Sequence, residues 1–154
     1  SNDGRLLKQW SDRKPDLRVM GIDPAKNLCE LANAKGVTTF CGAMTSPTAT
    51  AVRTVISPDL VIARHCFCHA DDWREFIHAL SLLGHEKTRY VIEVPYALDQ
   101  IASGDFGQIY HEHLSYLSVK AMNALLENSP LYLDSVGHYP IHGGVLVLTL
   151  CRPN

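Results

Sequence analysis

The run Leu60-Val61-Ile62-Ala63, four apolar residues directly after Pro58-Asp59, constrains the fold of this chain more than any other stretch. It has no polar alternation, so it predicts a strand covered on both faces, as in a parallel sheet with helices above and below. The next segment agrees. Asp72 stands three residues before Glu75, the capping-box offset, and Trp73, Phe76, Ile77, Leu80 and Leu83 form one apolar helical stripe that stops at Gly84. Tyr90 to Val94 then reads as a second buried strand, which completes a strand, helix, strand unit.

The alternation extends in both directions. Ser1-Asn2-Asp3-Gly4 is a turn feeding a helix with Leu6, Leu7 and Trp10 on one face. Leu17 to Ile22 predicts a strand ending at Asp23, and Pro24 suits the first position of a helix that carries Leu28, Leu31 and Ala32 and closes at Gly36. Val37 to Cys41 predicts a strand, and Ser46-Pro47 the cap and first turn of a helix through Val55. Later, Ser118 caps a helix bearing Met122, Leu125 and Leu126, and strands at Leu131 to Val136 and Val145 to Cys151 flank a turn at Gly143-Gly144. The expected architecture is a doubly wound α/β sheet of six mostly parallel strands, with residues 145–151 antiparallel at an edge. At 154 residues, 46% hydrophobic and 19% charged, the chain suits one domain spanning 1–154.

Charge and cysteine usage narrow the function. A net charge of -2 supplies no basic field for a phosphate backbone, so nucleic acid is not an expected partner. No apolar run approaches the roughly 20 residues that span a bilayer, and no signal-peptide pattern opens the chain, so the expectation is a cytoplasmic protein without a membrane partner. The five cysteines, at 29, 41, 66, 68 and 151, match no disulfide framework or paired zinc spacing and are expected as reduced thiols. His65-Cys66-Phe67-Cys68-His69 carries four metal-ligating side chains in five residues. In an extended strand, 65 and 69 face away from 66 and 68, so no metal site is expected there.

Residues 95–117 show no clean period and read as an insertion, and within it lies Tyr110-His111-Glu112-His113-Leu114-Ser115-Tyr116. Only Leu114 in that run is plainly apolar, so neither a core strand nor a core helix explains it. Bordering a pocket, it would supply proton donors and acceptors for acid-base chemistry; the alternative is a polar surface loop. In doubly wound sheets ligands sit at the carboxyl ends of strands, here Asp23, the region of Cys41, His65 to His69, and Glu93 to Tyr96. Asp23 lies 19 residues after Gly4, near the offset at which nucleotide folds place an acid on ribose hydroxyls. An aspartate before a proline is equally an ordinary helix cap, and a turn glycine such as Gly4 needs no ligand to explain it.

Taken in order, these motifs are similar to those of a known family. Ser-Asn-Asp-Gly entering a helix, Gly-Ile-Asp-Pro-Ala at 21–25, Arg-His followed by His69, Ile-Glu-Val-Pro-Tyr at 92–96, Tyr-His-Glu-His-Leu-Ser-Tyr at 110–116 and His-Gly-Gly at 142–144 resemble the S-adenosylmethionine-dependent sugar C-methyltransferases. Members of that family methylate nucleotide-linked keto-deoxysugars. The resemblance implies a Rossmann-like class I methyltransferase fold, S-adenosylmethionine as cofactor and a nucleotide-linked sugar as substrate. It makes His113 the general base, Glu112 and Tyr110 its active-site neighbours, and His69 a histidine reaching in from the fourth strand of the family's sheet. Asp23 becomes the acid that holds the cofactor ribose, Asn2, Asp3 and Gly4 the end of the cofactor loop, and Tyr116 and His142 substrate residues.

The chemistry suits those residue types independently. A carbon beside a ketone becomes a nucleophile only after losing a proton, so the site needs a base and a donor for the enolate oxygen. Imidazole meets the first need; Tyr110 or His69 could supply the second, and Glu112 could orient a histidine or bind a sugar hydroxyl.

Against the family pattern, the chain starts inside the cofactor motif, so the family's first, central strand is expected to be missing from its sheet. An amino-terminal cysteine-rich zinc module and a further carboxyl-terminal region are also expected outside this stretch. Val145 and Val147 stand where members carry serine and arginine. Two other readings remain open: a degenerate methyltransferase-like interaction module, and, last, a nicotinamide-dependent oxidoreductase, for which no Gly-x-Gly-x-x-Gly exists.

Overall fold

The computed structural model describes residues 1–153 and divides into two compact units, one over residues 1–56 and one from Ser57 onward. In the first unit, helix α1 (Arg5–Arg13) is followed by strand β1 (Gly21–Asp23), helix α2 (Lys26–Ala34), strand β2 (Thr39–Cys41) and helix α3 (Ser46–Arg53). β1 and β2 pair in parallel, with Asp23 opposite Cys41. Gly4 sits in the left-handed region at φ 76° ahead of α1, and a Cβ there would come within 3.0 Å of the Ala32 Cβ on α2. Both the turn and the close packing therefore demand glycine at this position. The helix after β1 starts later than expected: Asp23 accepts the Ala25 amide at 3.0 Å and Ala25 is the N-cap, so Pro24 lies in the lead-in turn.

The second unit contains strand β3 (Leu60–Arg64), a 3₁₀ turn (Phe67–His69), helix α4 (Trp73–Leu83), strand β4 (Arg89–Pro95), helix α5 (Ala97–Ser103), a second 3₁₀ turn (Phe106–Gln108), helix α6 (Val119–Leu126) and strands β5 (Tyr132–Tyr139) and β6 (Val145–Cys151). Asp72 caps α4 as expected, accepting the amides of Arg74 at 2.9 Å and Glu75 at 3.0 Å. The buried stripe of α4 (Phe76, Ile77, Leu80, Leu83) and the alternating buried residues of β4 and β6 (Tyr90, Ile92, Val94, Leu146, Leu148, Leu150) supply the core. Phe67 meets Phe76 edge to face at 5.1 Å.

The four strands lie in the order β3-β4-β6-β5. β3 and β4 are parallel, and β6 is antiparallel to both β4 and β5. Six strands are thus present among the described residues and 145–151 is antiparallel, but two expectations are corrected. The division into a two-stranded and a four-stranded sheet agrees with the expected absence of a central strand, but the ladders are not mostly parallel: as many are antiparallel as parallel. β6 is also internal rather than at the edge, because the hairpin folds β5 to the outside of it; the nearly continuous apolar sequence of β6 suits a strand with two neighbours. Leu60, expected to be covered, is 46% exposed: β3 is an edge strand of its sheet.

This order brings three segments to one end of the sheet. The parallel pair aligns Arg64 with Glu93, and β6 starts at Val145 opposite Pro95. The carboxyl ends of β3 and β4 and the turn at 142–144 therefore lie side by side. Residues 97–117 leave and return at this same end, through a bridge between Tyr96 and Leu117 and the bond from Ala97 N to the Leu117 carbonyl (3.0 Å). Expected as an irregular insertion, that excursion contains α5, whose exposed Leu98 and Ile101 hide the helical period.

Candidate active site

The 3₁₀ turn after β3 carries the first half of the site. His65 takes a left-handed conformation at φ 46°, which turns the chain out of β3 and ends the extended geometry assumed for residues 65–69. Cys68 is buried, and its carbonyl accepts the Leu114 amide at 2.9 Å and the Ser115 hydroxyl at 3.3 Å. These bonds lash the 110–116 stretch to the end of β3, so it is not a free surface loop.

His113 is the residue this arrangement encloses, at 9% exposure. Its Nδ1 lies 2.8 Å from the Gln108 carbonyl, which can only accept, so Nδ1 carries the proton and Nε2 of the neutral ring carries the lone pair. That lone pair faces the Tyr110 hydroxyl at 2.7 Å, with the two rings 4.0 Å apart. Desolvation, with the Cys68, Glu112 and Tyr116 groups around it, pushes the Tyr110 phenol above its ordinary pKa, so it stays protonated and donates to Nε2. Tyr116 donates to the same Gln108 carbonyl at 3.3 Å.

His69 joins this group, its ring 5.1 Å from that of His113. Its Nδ1 donates to the Glu112 carbonyl at 2.5 Å, which again leaves Nε2 with the lone pair. It is the main chain of Glu112 that orients His69; its carboxylate is 66% exposed and lies 3.8 Å from the exposed His111.

A second polar cluster lies at the ends of β3 and β4. Glu93 accepts two bonds from Arg64, at 2.9 and 3.2 Å, and its carboxylate is 2.7 Å from His65 Nε2. Burial works against the Glu93 charge, but Arg64 and then His65 outweigh it and hold the carboxyl below its usual range. His142, in the left-handed region at φ 49°, meets the His65 ring edge-on at 6.0 Å. Beside it, His138 Nε2 contacts Asp99 at 2.5 Å and packs against the Tyr96 ring. The sequence placed His65 and Glu93 at ligand-facing strand ends but gave no sign of the Arg64–Glu93–His65 cluster, and it did not single out Asp99 and His138 at all, because the partners lie far apart along the chain.

The glycines of His142-Gly143-Gly144 have a local explanation. They adopt φ of 77° and 101°, and a Cβ on either would run into Asp105 or Asp99 respectively. The turn therefore packs directly on the excursion at Asp99 and Asp105.

In the first unit, Asp23 receives the amide of Asn2 at 2.7 Å and the Ser1 nitrogen at 3.0 Å on Oδ2. Burial opposes its charge, the Ala25 and Asn2 amides favour it, and the carboxyl lies below its usual range. Oδ1 holds the Ala25 amide alone among the described residues, which leaves it lone pairs for a hydroxyl donor. Asp23 therefore braces the lead-in turn and retains acceptor capacity; it is not the helix cap that an aspartate before a proline suggests, because its bond goes to the amide of the N-cap Ala25 and not into the first turn. Asp3 pairs with Lys35 at 2.6 Å, and Asn2 takes a left-handed φ of 54° in the same turn. An ionised acid with a free acceptor site, at the end of β1 and hydrogen-bonded to the turn that precedes Gly4, fits a cofactor bearing ribose hydroxyls.

All five cysteines are free thiols. No helix among the described residues is long and apolar enough to cross a membrane.

No protein-family model matches the chain. It is 34% identical over 149 residues to the C-methyltransferase NovU of Streptomyces niveus, an alignment covering 96% of this chain and 35% of NovU. The chain thus spans about a third of the length of that relative. Among solved structures, it resembles a SAM-dependent methyltransferase from Anabaena variabilis at a TM-score of 0.74 and 15% identity, covering 99% of this chain and 74% of the other. A SAM-dependent methyltransferase from Thermotoga maritima matches at a TM-score of 0.69 and 11% identity, over 99% and 78% of the two chains. The chain has the Rossmann-like α/β fold of S-adenosylmethionine-dependent methyltransferases.

Proposed function

We propose that this chain is the catalytic portion of an S-adenosylmethionine-dependent C-methyltransferase whose substrate is a nucleotide-linked keto-deoxysugar. The observation that carries the reading is the buried His113, its Nδ1 proton fixed on the Gln108 carbonyl and its Nε2 lone pair aimed at the Tyr110 hydroxyl. The likeness to NovU, a C-methyltransferase, supports the reaction class.

In this reading the keto sugar enters between His113 and its neighbours, with Tyr116 and His142 contacting its hydroxyls. The Tyr110 hydrogen turns from Nε2 to the substrate carbonyl oxygen. One movement then frees the base and supplies a donor to the oxygen on which charge develops. Nε2 takes the α-proton, and the resulting imidazolium keeps its Nδ1–H on Gln108. His69, held by the Glu112 carbonyl, stands beside this pair as a second donor or proton carrier. The electron pair left on the α-carbon would then be available to form the new carbon–carbon bond. Asn2, Asp3, Gly4 and Asp23 would hold the cofactor, which when bound supplies the electrophilic methyl.

The experiment is methyl transfer by the full-length protein from S-adenosylmethionine carrying a trideuterated methyl, with a nucleotide-linked keto-deoxysugar as acceptor. Product NMR should place the label on a carbon adjacent to the ketone. Transfer to oxygen or nitrogen, or no transfer to any keto sugar offered, would overturn the proposal.

A further inference from the structure

The 3₁₀ turn and the excursion bring together a group that the acid-base reading does not use as a set. One ligating atom each from Cys68, His69 and His113 lies within 4.8 Å of the others. We propose that these three side chains form a binding site for a zinc-type divalent transition ion, with a fourth coordination position open to water or a ligand.

Three observations support it. A thiol with two imidazoles is a donor set that zinc prefers over harder cations, and three protein ligands with one open position is the pattern of accessible zinc sites. Each imidazole also donates its Nδ1–H to a main-chain carbonyl, His69 to Glu112 and His113 to Gln108. That is the outer-shell arrangement which orients metal-bound histidines, and it leaves both Nε2 lone pairs for the ion. Finally, the ligands come from two segments tied together by the bonds from Leu114 N and Ser115 Oγ to the Cys68 carbonyl, so the site is held by the fold.

Tetrahedral coordination with Zn–S near 2.3 Å and Zn–N near 2.0–2.1 Å brings ligand atoms to about 3.3–3.6 Å from one another. The approach needed is small, about 1.5 Å at most, and slight tilts of the rings can make it while His69 Nδ1 stays on the Glu112 carbonyl. As the metal–sulfur bond forms, the Cys68 proton leaves to solvent, and the Tyr110 hydroxyl gives up Nε2 of His113 and turns to water. One lone pair cannot serve both an ion and an incoming proton. If His113 is the base proposed above, the ion is therefore inhibitory; the site itself does not depend on that reading.

The test is a cobalt titration of the full-length protein and its variants, read by absorption without any substrate. The wild type should bind one equivalent of Co²⁺ more than Cys68→Ser does, and that equivalent should show tetrahedral visible bands and a thiolate-to-cobalt charge-transfer band. Zinc should displace it. His69→Ala changes an exposed position and so separates loss of a ligand from loss of the fold. It should weaken binding by at least the roughly 10–100-fold that removing an outer-shell partner costs. Cys66→Ser should leave the spectrum unchanged. Identical cobalt spectra for the wild type and Cys68→Ser, or unchanged affinity in His69→Ala, would overturn the site.

Discussion

The hydroxyl of Tyr110 lies 2.7 Å from Nε2 of His113, and the opposite nitrogen of that ring is fixed on the Gln108 carbonyl. The relationship assigns the tautomer: the lone pair sits on Nε2, and the phenol is its donor. It also couples the candidate base to the candidate oxyanion donor, since one hydrogen serves both in turn.

Tyr110→Phe in the full-length protein should lower turnover by about 100- to 1,000-fold, the worth of one oxyanion donor. The side chain is 43% exposed, so the thermal midpoint should move little. Steady-state kinetics beside a melting curve checks both; undiminished turnover would remove Tyr110 from the mechanism.

For the cofactor, Asp23→Ala should weaken S-adenosylmethionine binding by about 1.5–3 kcal/mol, the scale of a hydrogen bond to a charged group. Asp23 also ties down the Ser1–Asn2 turn, so Asp23→Asn is the better partner variant: its side-chain oxygen can still accept an amide. Calorimetry should rank wild type, Asn and Ala in falling order of affinity.

Gly144→Ala should destabilise the fold by about 1–3 kcal/mol, because a φ of 101° is strained for any L side chain and the new Cβ meets Asp99. Urea unfolding measures it. Asp99→Gly should recover only the part that comes from the clash, and the remainder reports the backbone strain.

Glu93 makes a pH prediction whose sign follows from its depressed carboxyl. A group more acidic in the folded than in the unfolded state contributes stability above its unfolded pKa and loses it as pH falls through the folded one. Acid should therefore destabilise the protein most steeply below the ordinary glutamate range, and Glu93→Gln should flatten that limb. Arg64 is half exposed, so the effect is screened and should shrink in salt. Identical acid limbs for the two proteins would exclude Glu93 as the source.

Legibility in the sequence followed the range of the interactions. Strand β6 was readable to the residue, because Val145 to Cys151 is nearly all apolar and is bounded by Gly143-Gly144. The cap of α4 was equally plain, since Asp72 acts on residues two and three places away. Residues 65–69 were misread as extended, because the break comes from a left-handed His65, where no glycine marks it. The hairpin order was misread because only the ladders of β6 with both β4 and β5 reveal it as internal. In the site, Tyr110-His111-Glu112-His113 announced itself by residue type. The pairs Arg64–Glu93 and Asp99–His138 did not, being 29 and 39 residues apart and made only by the fold.

Exchange of the substrate's α-proton with deuterated solvent tests the central claim most directly. It should be measured in the full-length protein with a nucleotide-linked keto-deoxysugar and a cofactor analogue lacking a transferable methyl. The wild type should exchange that proton, and His113→Asn should slow exchange by roughly 100- to 10,000-fold, the usual worth of a positioned general base, with cofactor affinity unchanged. His111→Asn, at a side chain 91% exposed, should exchange normally. Near-normal exchange in His113→Asn, with exchange abolished instead in His69→Ala or Glu112→Ala, would contradict the assignment of the base to His113.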